Sequence, residues 1–85
     1  MDFELWIDIL GWIGSVEVIL AYALISNGKV HGKSVSYQLL NLTGSVFLTA
    51  NTVYYHAYPS TAINVVWMVV AIVALIQAWT KKSDE

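Results

Sequence analysis

The chain has 85 residues, of which 58% are hydrophobic and 12% charged, and its formal net charge is -2. Soluble domains contain about 25% charged residues, and a soluble chain of this size could not cover so much apolar surface. The composition therefore predicts a membrane protein with a single domain over residues 1–85. The absence of Cys excludes disulfides and thiolate metal sites. No basic patch is present, which argues against nucleic-acid binding.

Three apolar segments are long enough to cross a bilayer, at about 5–26, 35–55 and 60–79. A span needs roughly 20 apolar residues, and its backbone groups must pair within the segment, so each is predicted to be an α-helix. The acidic start "MDFELWIDIL" lacks the positive region and the small-residue cleavage site of a secretory signal, so we expect the first segment to remain as a helix. The predicted fold class is an all-α membrane protein with three transmembrane helices.

The connections between the segments predict the orientation. Gly28 and Gly32 interrupt the helical pattern in "SNGKVHGKS", and Pro59 suits the first turn of the third helix, where an N–H would have no partner. With three spans, all four lysines fall on one side of the membrane, at Lys29, Lys33, Lys81 and Lys82. The positive-inside rule makes that side cytoplasmic. We thus expect a multi-pass protein of a bacterial cytoplasmic (inner) membrane, with its N-terminus outside and its C-terminus in the cytoplasm.

Glu17 is a carboxylate near the middle of the first span. It lies beside Gly11, Gly14 and Ala21, whose small size at three- and four-residue spacing favours close helix packing. An ionised carboxylate at this depth costs several kcal/mol, so Glu17 must face protein or water or be protonated. Two interpretations remain open: a neutral Glu hydrogen-bonded to a neighbouring helix, and a carboxylate that binds a proton or a solute.

The second and third helices each carry a polar or small stripe opposite a bulky apolar one. Such stripes are what any packed bundle needs, so packing is the default interpretation. Counted from the outer surface, Asp8, Asn51 and Asn64 lie within the outer third of their helices. The two amides at one level are expected either to bond each other or to line a common cavity that offers donors and acceptors to a polar solute.

Catalytic and metal-binding patterns are missing from the sequence. His31 and His56 lie in loops, and neither has a second His at ligand spacing. No Ser–His–acid arrangement is visible, and Asp8 and Glu17 are nine residues apart on one helix, which is not an obvious acid pair. We expect no catalytic site, no metal and no cofactor, and we predict that the protein is not an enzyme.

Short motifs resemble those of the SemiSWEET transporters, which are bacterial three-helix half-transporters related to the SWEET and PQ-loop proteins. The motifs are "GWIG" (11–14), "VYY" (53–55) and "AYPSTAIN" (57–64), and the residues that fit in order are Gly11, Trp12, Gly14, Tyr54, Pro59 and Asn64. Three further stretches, "AYALIS", "YQLLNLTGS" and "AYPS…N", look closer still to a family of small, uncharacterised, SWEET-related bacterial membrane proteins that lack the Pro-Gln motif.

The resemblance implies a triple-helix bundle that pairs as a parallel homodimer and alternates access to a solute pocket near the membrane centre. It also implies that Asn64 binds the solute. Two departures stand out: the family's sugar-stacking Trp of helix two falls at Asn51, and its Pro-Gln pair falls at about Leu24-Ile25. Trp67, one turn after Asn64, is a candidate for a different aromatic platform.

The function predicted from these observations is a homodimeric small-solute transporter or permease, for sugars or another small polar solute. The predicted solute-binding residues are Asn64, Asn51, Trp67 and Glu17, and the predicted outer gate consists of Tyr54, Tyr55 and Asp8. The predicted partners are the lipid bilayer, a second copy of the chain and the solute. The alternative is a non-transporting accessory or assembly subunit of a larger membrane complex, which the loss of the Pro-Gln pair favours.

Overall fold

A computed structural model describes the backbone of residues 2–83 and the side chains of residues 2–80. The chain forms three helices, α1 (Phe3–Ser26), α2 (Val35–Tyr54) and α3 (Tyr58–Ser83), which confirms the all-helical prediction with three helices. Two of them, over Phe3–Ser26 and Tyr58–Thr80, are long and apolar enough to cross a membrane. α2 does not meet the same criterion of length and hydropathy, because it contains more polar residues. Of the four lysines used to predict the orientation, Lys81 and Lys82 lie outside the described side chains.

The central element of the fold is α2. Both α1 and α3 pack against it, and within the described residues no Cα atom of α1 lies within 8 Å of one in α3. The molecule is elongated along the helices, measuring 48 × 25 × 24 Å. Because the two outer helices share one support and do not meet, a cleft remains between them, with α2 at its base.

The contact between α1 and α2 depends on glycine. A methyl group added at Gly14 would lie 2.9 Å from the carbonyl oxygen of Gly44, closer than a carbon atom can approach without displacing the backbone. The predicted small-residue face of α1 is confirmed, since Gly11, Gly14 and Ala21 are all buried. Small side chains at these positions let the two backbones approach closely.

The ends of α1 and α2 have the same geometry but different residues. At the end of α1, Gly28 has a φ of 69° and the N–H of Lys29 donates to the carbonyl of Leu24 at 2.9 Å. At the end of α2, His56 has a φ of 59° and the N–H of Ala57 donates to the carbonyl of Thr52 at 2.8 Å. Both are Schellman-type ends, in which a left-handed residue stops the helix.

Residues 51–64, which contain the end of α2 and the beginning of α3, are mostly helical. Only residues 55–57 lie between α2 and α3. Pro59 is the second residue of α3, in the first turn, where its missing N–H costs no helical hydrogen bond. The Asn residues at the two ends of the segment consequently belong to two antiparallel helices, and their side chains are positioned by helix packing.

Candidate functional site

The first candidate site is a cavity of about 160 Å³ in the cleft between α1 and α3, with α2 forming its base. We call it the Asn64 cavity. All three helices contribute to its lining, which consists of Val18, Tyr22, Tyr37, Asn41, Ser45, Asn64 and Trp67. None of these side chains carries a formal charge, so the cavity offers amide, hydroxyl and aromatic groups only.

The polar side chains of the Asn64 cavity make no hydrogen bond within the described part of the chain, and two of them belong to buried residues. Asn41 is 9% exposed and Ser45 is 2% exposed, yet neither side chain makes a hydrogen bond to any described residue. The side chain of Asn64 and the hydroxyls of Tyr22 and Tyr37 likewise have no hydrogen-bond partner in the described part of the chain. Buried polar groups are normally paired, so this cavity is suited to a polar molecule that supplies the missing partners.

The second candidate site is a shallower cavity of about 310 Å³ in the groove between α1 and α2. We call it the Asp8 cavity. It lies near the beginning of α1 and the end of α2, and it is lined by Asp8, Gly11, Trp12, Ser15, Leu48, Asn51 and Tyr55. It differs from the Asn64 cavity because it contains a carboxylate.

The side chains of the Asp8 cavity are tied to the protein by three hydrogen bonds. The amide nitrogen of Asn51 donates to the carbonyl of Ile7 at 3.0 Å. The hydroxyl of Ser15 donates to the carbonyl of Gly11 at 2.7 Å. The hydroxyl of Tyr55 donates to the carboxylate of Asp8. The first and third of these bonds join α1 to the end of α2 and hold this part of the groove together.

The hydrogen bond to the Asp8 carboxylate raises the pKa of Tyr55 well above its usual value. Partial loss of hydration and the negative charges of Asp8 and Glu4 act in the same direction, because each disfavours a phenolate. Tyr55 therefore remains a neutral donor at alkaline pH. Tyr54 packs edge-on against Tyr55, with 5.0 Å between ring centroids, so the three predicted gate residues lie at one end of the molecule.

Glu17 lines neither cavity. Its Oε2 accepts a hydrogen bond from the Thr43 hydroxyl of α2 at 2.5 Å. Its Oε1 is buried and has no partner in the described part of the chain. The bond to Thr43 is the interhelical hydrogen bond of the first interpretation, and Glu17 stands apart from the solute-binding set in which the sequence placed it.

The structure separates the predicted solute-binding residues. Asn64 and Trp67 line the Asn64 cavity together, whereas Asn51 lies in the Asp8 cavity and Glu17 in neither. Within the described part of one chain, Asn51 bonds to Ile7 and not to Asn64, so the expected direct bond between the two amides is wrong. A cavity that both Asn residues line, which a second copy of the chain could complete, stays a prediction. Equal depth along two helices does not imply that two side chains point to the same place.

Four lining residues of the Asn64 cavity that carry an amide or a hydroxyl group were given no role from the sequence. Asn41 and Ser45 belong to the polar stripe of α2, and their four-residue spacing is a signal that they share a face. Tyr22 and Tyr37 come from different helices, and nothing in their sequence positions indicates that they meet. Among the described residues, no group of three or more His, Asp or Glu is placed so that it could hold a metal ion.

The chain matches a family model. This model matches residues 7–82, a range that includes every lining residue of both cavities, and the family is uncharacterised. No curated protein and no solved structure matches the chain.

Proposed function

The chain belongs to the uncharacterised family matched over residues 7–82, and from that premise we propose that it is a membrane-spanning, SemiSWEET-like half-transporter for a small polar solute, acting as a homodimer. The observation that supports this proposal best is the Asn64 cavity, in which the side chains of two buried residues, Asn41 and Ser45, have no hydrogen-bond partner in the described part of the chain. Their amide and hydroxyl groups are available to a ligand, and a solute with hydroxyl groups would pair with them.

The surfaces of α1 and α3 support a membrane location. Large apolar side chains point outward on both helices, including Ile19 at 68% exposed, Val16 at 61% and Val66 at 61%. Apolar patches of this extent are rare on soluble monomers, whereas lipid covers them at no cost. In the proposed orientation α1 and α3 face lipid, α2 is the third span between them, and the beginning of α1 lies outside an inner membrane.

The lining of the Asn64 cavity supports an uncharged solute. The amides of Asn41 and Asn64 each offer a donor and an acceptor, and the hydroxyl of Ser45 offers both. The ring of Trp67 supplies an apolar surface next to them. Alternating polar and apolar contacts match sugars and similar polyols, which carry hydroxyl groups around an apolar face. No side chain of the cavity would neutralise a charged solute.

The size and shape of the Asn64 cavity support a dimer. Binding sites for small molecules occupy about 300–1,000 Å³, so one protomer supplies roughly half of a site. The cleft is also open between α1 and α3, which do not meet. A two-fold-related copy would close both clefts with the same surface and bring two Asn64 cavities together.

Uptake into liposomes tests the proposal directly. We expect vesicles that contain the protein to take up labelled glucose or glycerol faster than empty vesicles. We expect Asn64→Ala to lower that uptake at least tenfold while the protein stays folded and dimeric. Gln77→Ala, at an exposed polar position of α3 that lines neither cavity, is the matched control and should stay within twofold. Unchanged uptake by Asn64→Ala would remove Asn64 from the site.

Native mass spectrometry of the protein extracted with its surrounding lipid tests the assembly. A two-copy particle supports the half-transporter. A particle that contains other proteins, together with vesicles that take up neither probe, would favour the alternative, an accessory or assembly subunit of a larger membrane complex. In that case the open cleft would be a docking surface.

A further inference from the structure

The lining of the Asp8 cavity presents mainly hydrogen-bond acceptors, because its hydroxyl groups already donate within the protein. The hydroxyl hydrogens of Ser15 and Tyr55 are both directed to acceptors within the protein. The two carboxylate oxygens of Asp8 are acceptors. With its nitrogen held by Ile7, the amide of Asn51 has its oxygen free of any described donor. The donors that remain in the lining are the second amide hydrogen of Asn51 and the indole N–H of Trp12.

The charges around the cavity also have one sign. Asp8 lines it, and Glu4 lies close enough for its carboxylate to be 3.5 Å from the Tyr55 hydroxyl. No Lys, Arg or His is part of the lining. His56, next to Tyr55 in the chain, places its ring edge-on against Tyr58 at 5.9 Å. Lys29 follows α1 at its other end, about 30 Å from Asp8 at 1.5 Å per residue.

We propose that the Asp8 cavity is a binding site for the protonated amino group of a small amine. A primary ammonium ion has three N–H donors and no acceptor, which complements the oxygens of Asp8, Ser15 and Asn51. Its charge is balanced by the Asp8 carboxylate. The exposed ring of Trp12 at the same cavity adds the attraction of an aromatic face for a cation.

Tyr55 determines how much of Asp8 the amine can reach. The Tyr55 hydroxyl donates to one oxygen of the Asp8 carboxylate. An incoming ammonium ion must therefore share this acceptor with the hydroxyl or displace it. Since Tyr55 stays neutral wherever a primary amine is protonated, this competition persists across the whole useful pH range. Removing the hydroxyl should therefore strengthen binding, the opposite of what a purely structural role of the cavity would produce.

This site does not depend on the proposed transport function, because it lies in the groove between α1 and α2 and shares no lining residue with the Asn64 cavity. A binding experiment tests it without any transport assay. The full chain in lipid nanodiscs is titrated with propylammonium chloride at constant ionic strength, and the indole N–H resonance of Trp12 is followed by nuclear magnetic resonance. Propan-1-ol is the neutral probe of the same shape, and tetramethylammonium is the cation without N–H donors.

We expect saturable binding of propylammonium that is at least tenfold tighter than that of either other probe. Asp8→Asn should weaken it at least tenfold, and Tyr55→Phe should tighten it about threefold. Glu4→Gln, which removes a nearby carboxylate outside the lining, should change it less than twofold. Equal weakening by Asp8→Asn and Glu4→Gln would reduce the effect to general attraction by negative charge. Equal binding of tetramethylammonium would show that N–H donors are not recognised. Either result would overturn the proposal.

Discussion

The two cavities contain the same residue types in opposite states. Each cavity has an Asn, a Ser and a Tyr in its lining. In the Asp8 cavity these side chains bond to Ile7, Gly11 and Asp8, whereas Asn41, Ser45 and Tyr37 have no side-chain hydrogen bond in the described part of the chain. The pairing of each donor within the protein therefore determines which hydrogen-bonding groups a cavity presents. Where the donors already bond within the protein, the cavity presents mainly hydrogen-bond acceptors. Where they do not, the cavity presents both donors and acceptors.

The difference follows from the neighbours of α2. Close packing of α1 at Gly11 brings the backbone carbonyl of Ile7 within reach of Asn51; a methyl group at Gly11 would lie 2.8 Å from the Asn51 side-chain Cγ. Asn41 and Ser45 line the cleft between α1 and α3, and their side chains bond to no backbone carbonyl in the described part of the chain. Close packing of α1 on α2 thus provides a hydrogen-bond partner for Asn51, whereas the side chains that line the cleft have no such partner in the described part of the chain.

The largest expected effect comes from a substitution that forces α1 away from α2, because both cavities have lining residues on these two helices. Gly14→Ala places a methyl group 2.9 Å from the carbonyl of Gly44, so α1 must move away from α2. Overpacking of this kind costs about 1–3 kcal/mol. We expect a lower midpoint of thermal unfolding and loss of propylammonium binding together. Gly32→Ala, where the nearest atom is 3.6 Å away, is the matched control and should leave both unchanged. A Gly14→Ala protein with native stability would show that the helix contact is looser than described.

A smaller effect should distinguish the two Asn residues on α2. Asn51→Leu removes a hydrogen bond and should lower the free energy of unfolding by about 1 kcal/mol. Asn41→Leu removes no hydrogen bond to the described chain and replaces an unpaired buried amide by an apolar group, so stability should stay equal or rise while solute uptake falls. Denaturant titration of both variants in the same detergent measures the difference. A large loss of stability in Asn41→Leu would mean that this amide is a structural group.

The smallest effect is a dependence on pH at the Asp8 cavity. Because folding raises the pKa of Tyr55 above its unfolded value of about 10, the unfolded chain releases this proton first. The stability contributed by the Tyr55–Asp8 bond is thus complete below pH about 10 and is lost as the pH rises further. Ultraviolet absorbance of phenolate should show one tyrosine that ionises later than the others, and Asp8→Asn should bring it back. Simultaneous ionisation of all five tyrosines would contradict this assignment.

Most of the helical architecture was predictable because it depends on local signals. The apolar segments match the three helices, and the Gly residues of the first connection and Pro59 mark where helices stop and start. The gathering of Asp8, Tyr54 and Tyr55 at one end followed from the antiparallel order of the first two helices. The composition of the two cavities was not predictable, because it depends on the rotation of each helix about its own axis.

Two adjacent residues show why hydrogen-bond partners cannot be predicted from the sequence position alone. Asn51 donates to α1 through the carbonyl of Ile7, while the hydroxyl of its neighbour Thr52 accepts a hydrogen bond from Thr61 of α3 at 2.8 Å. One residue turns the side-chain direction by about 100°, so depth along a helix says nothing about which partner is met. The sequence by itself determined three helices, their order and the glycine contact, since hydropathy, helix breakers and side-chain size are local properties. Only the tertiary structure decided which polar groups are paired, because pairing requires a partner that packing brings within hydrogen-bond distance.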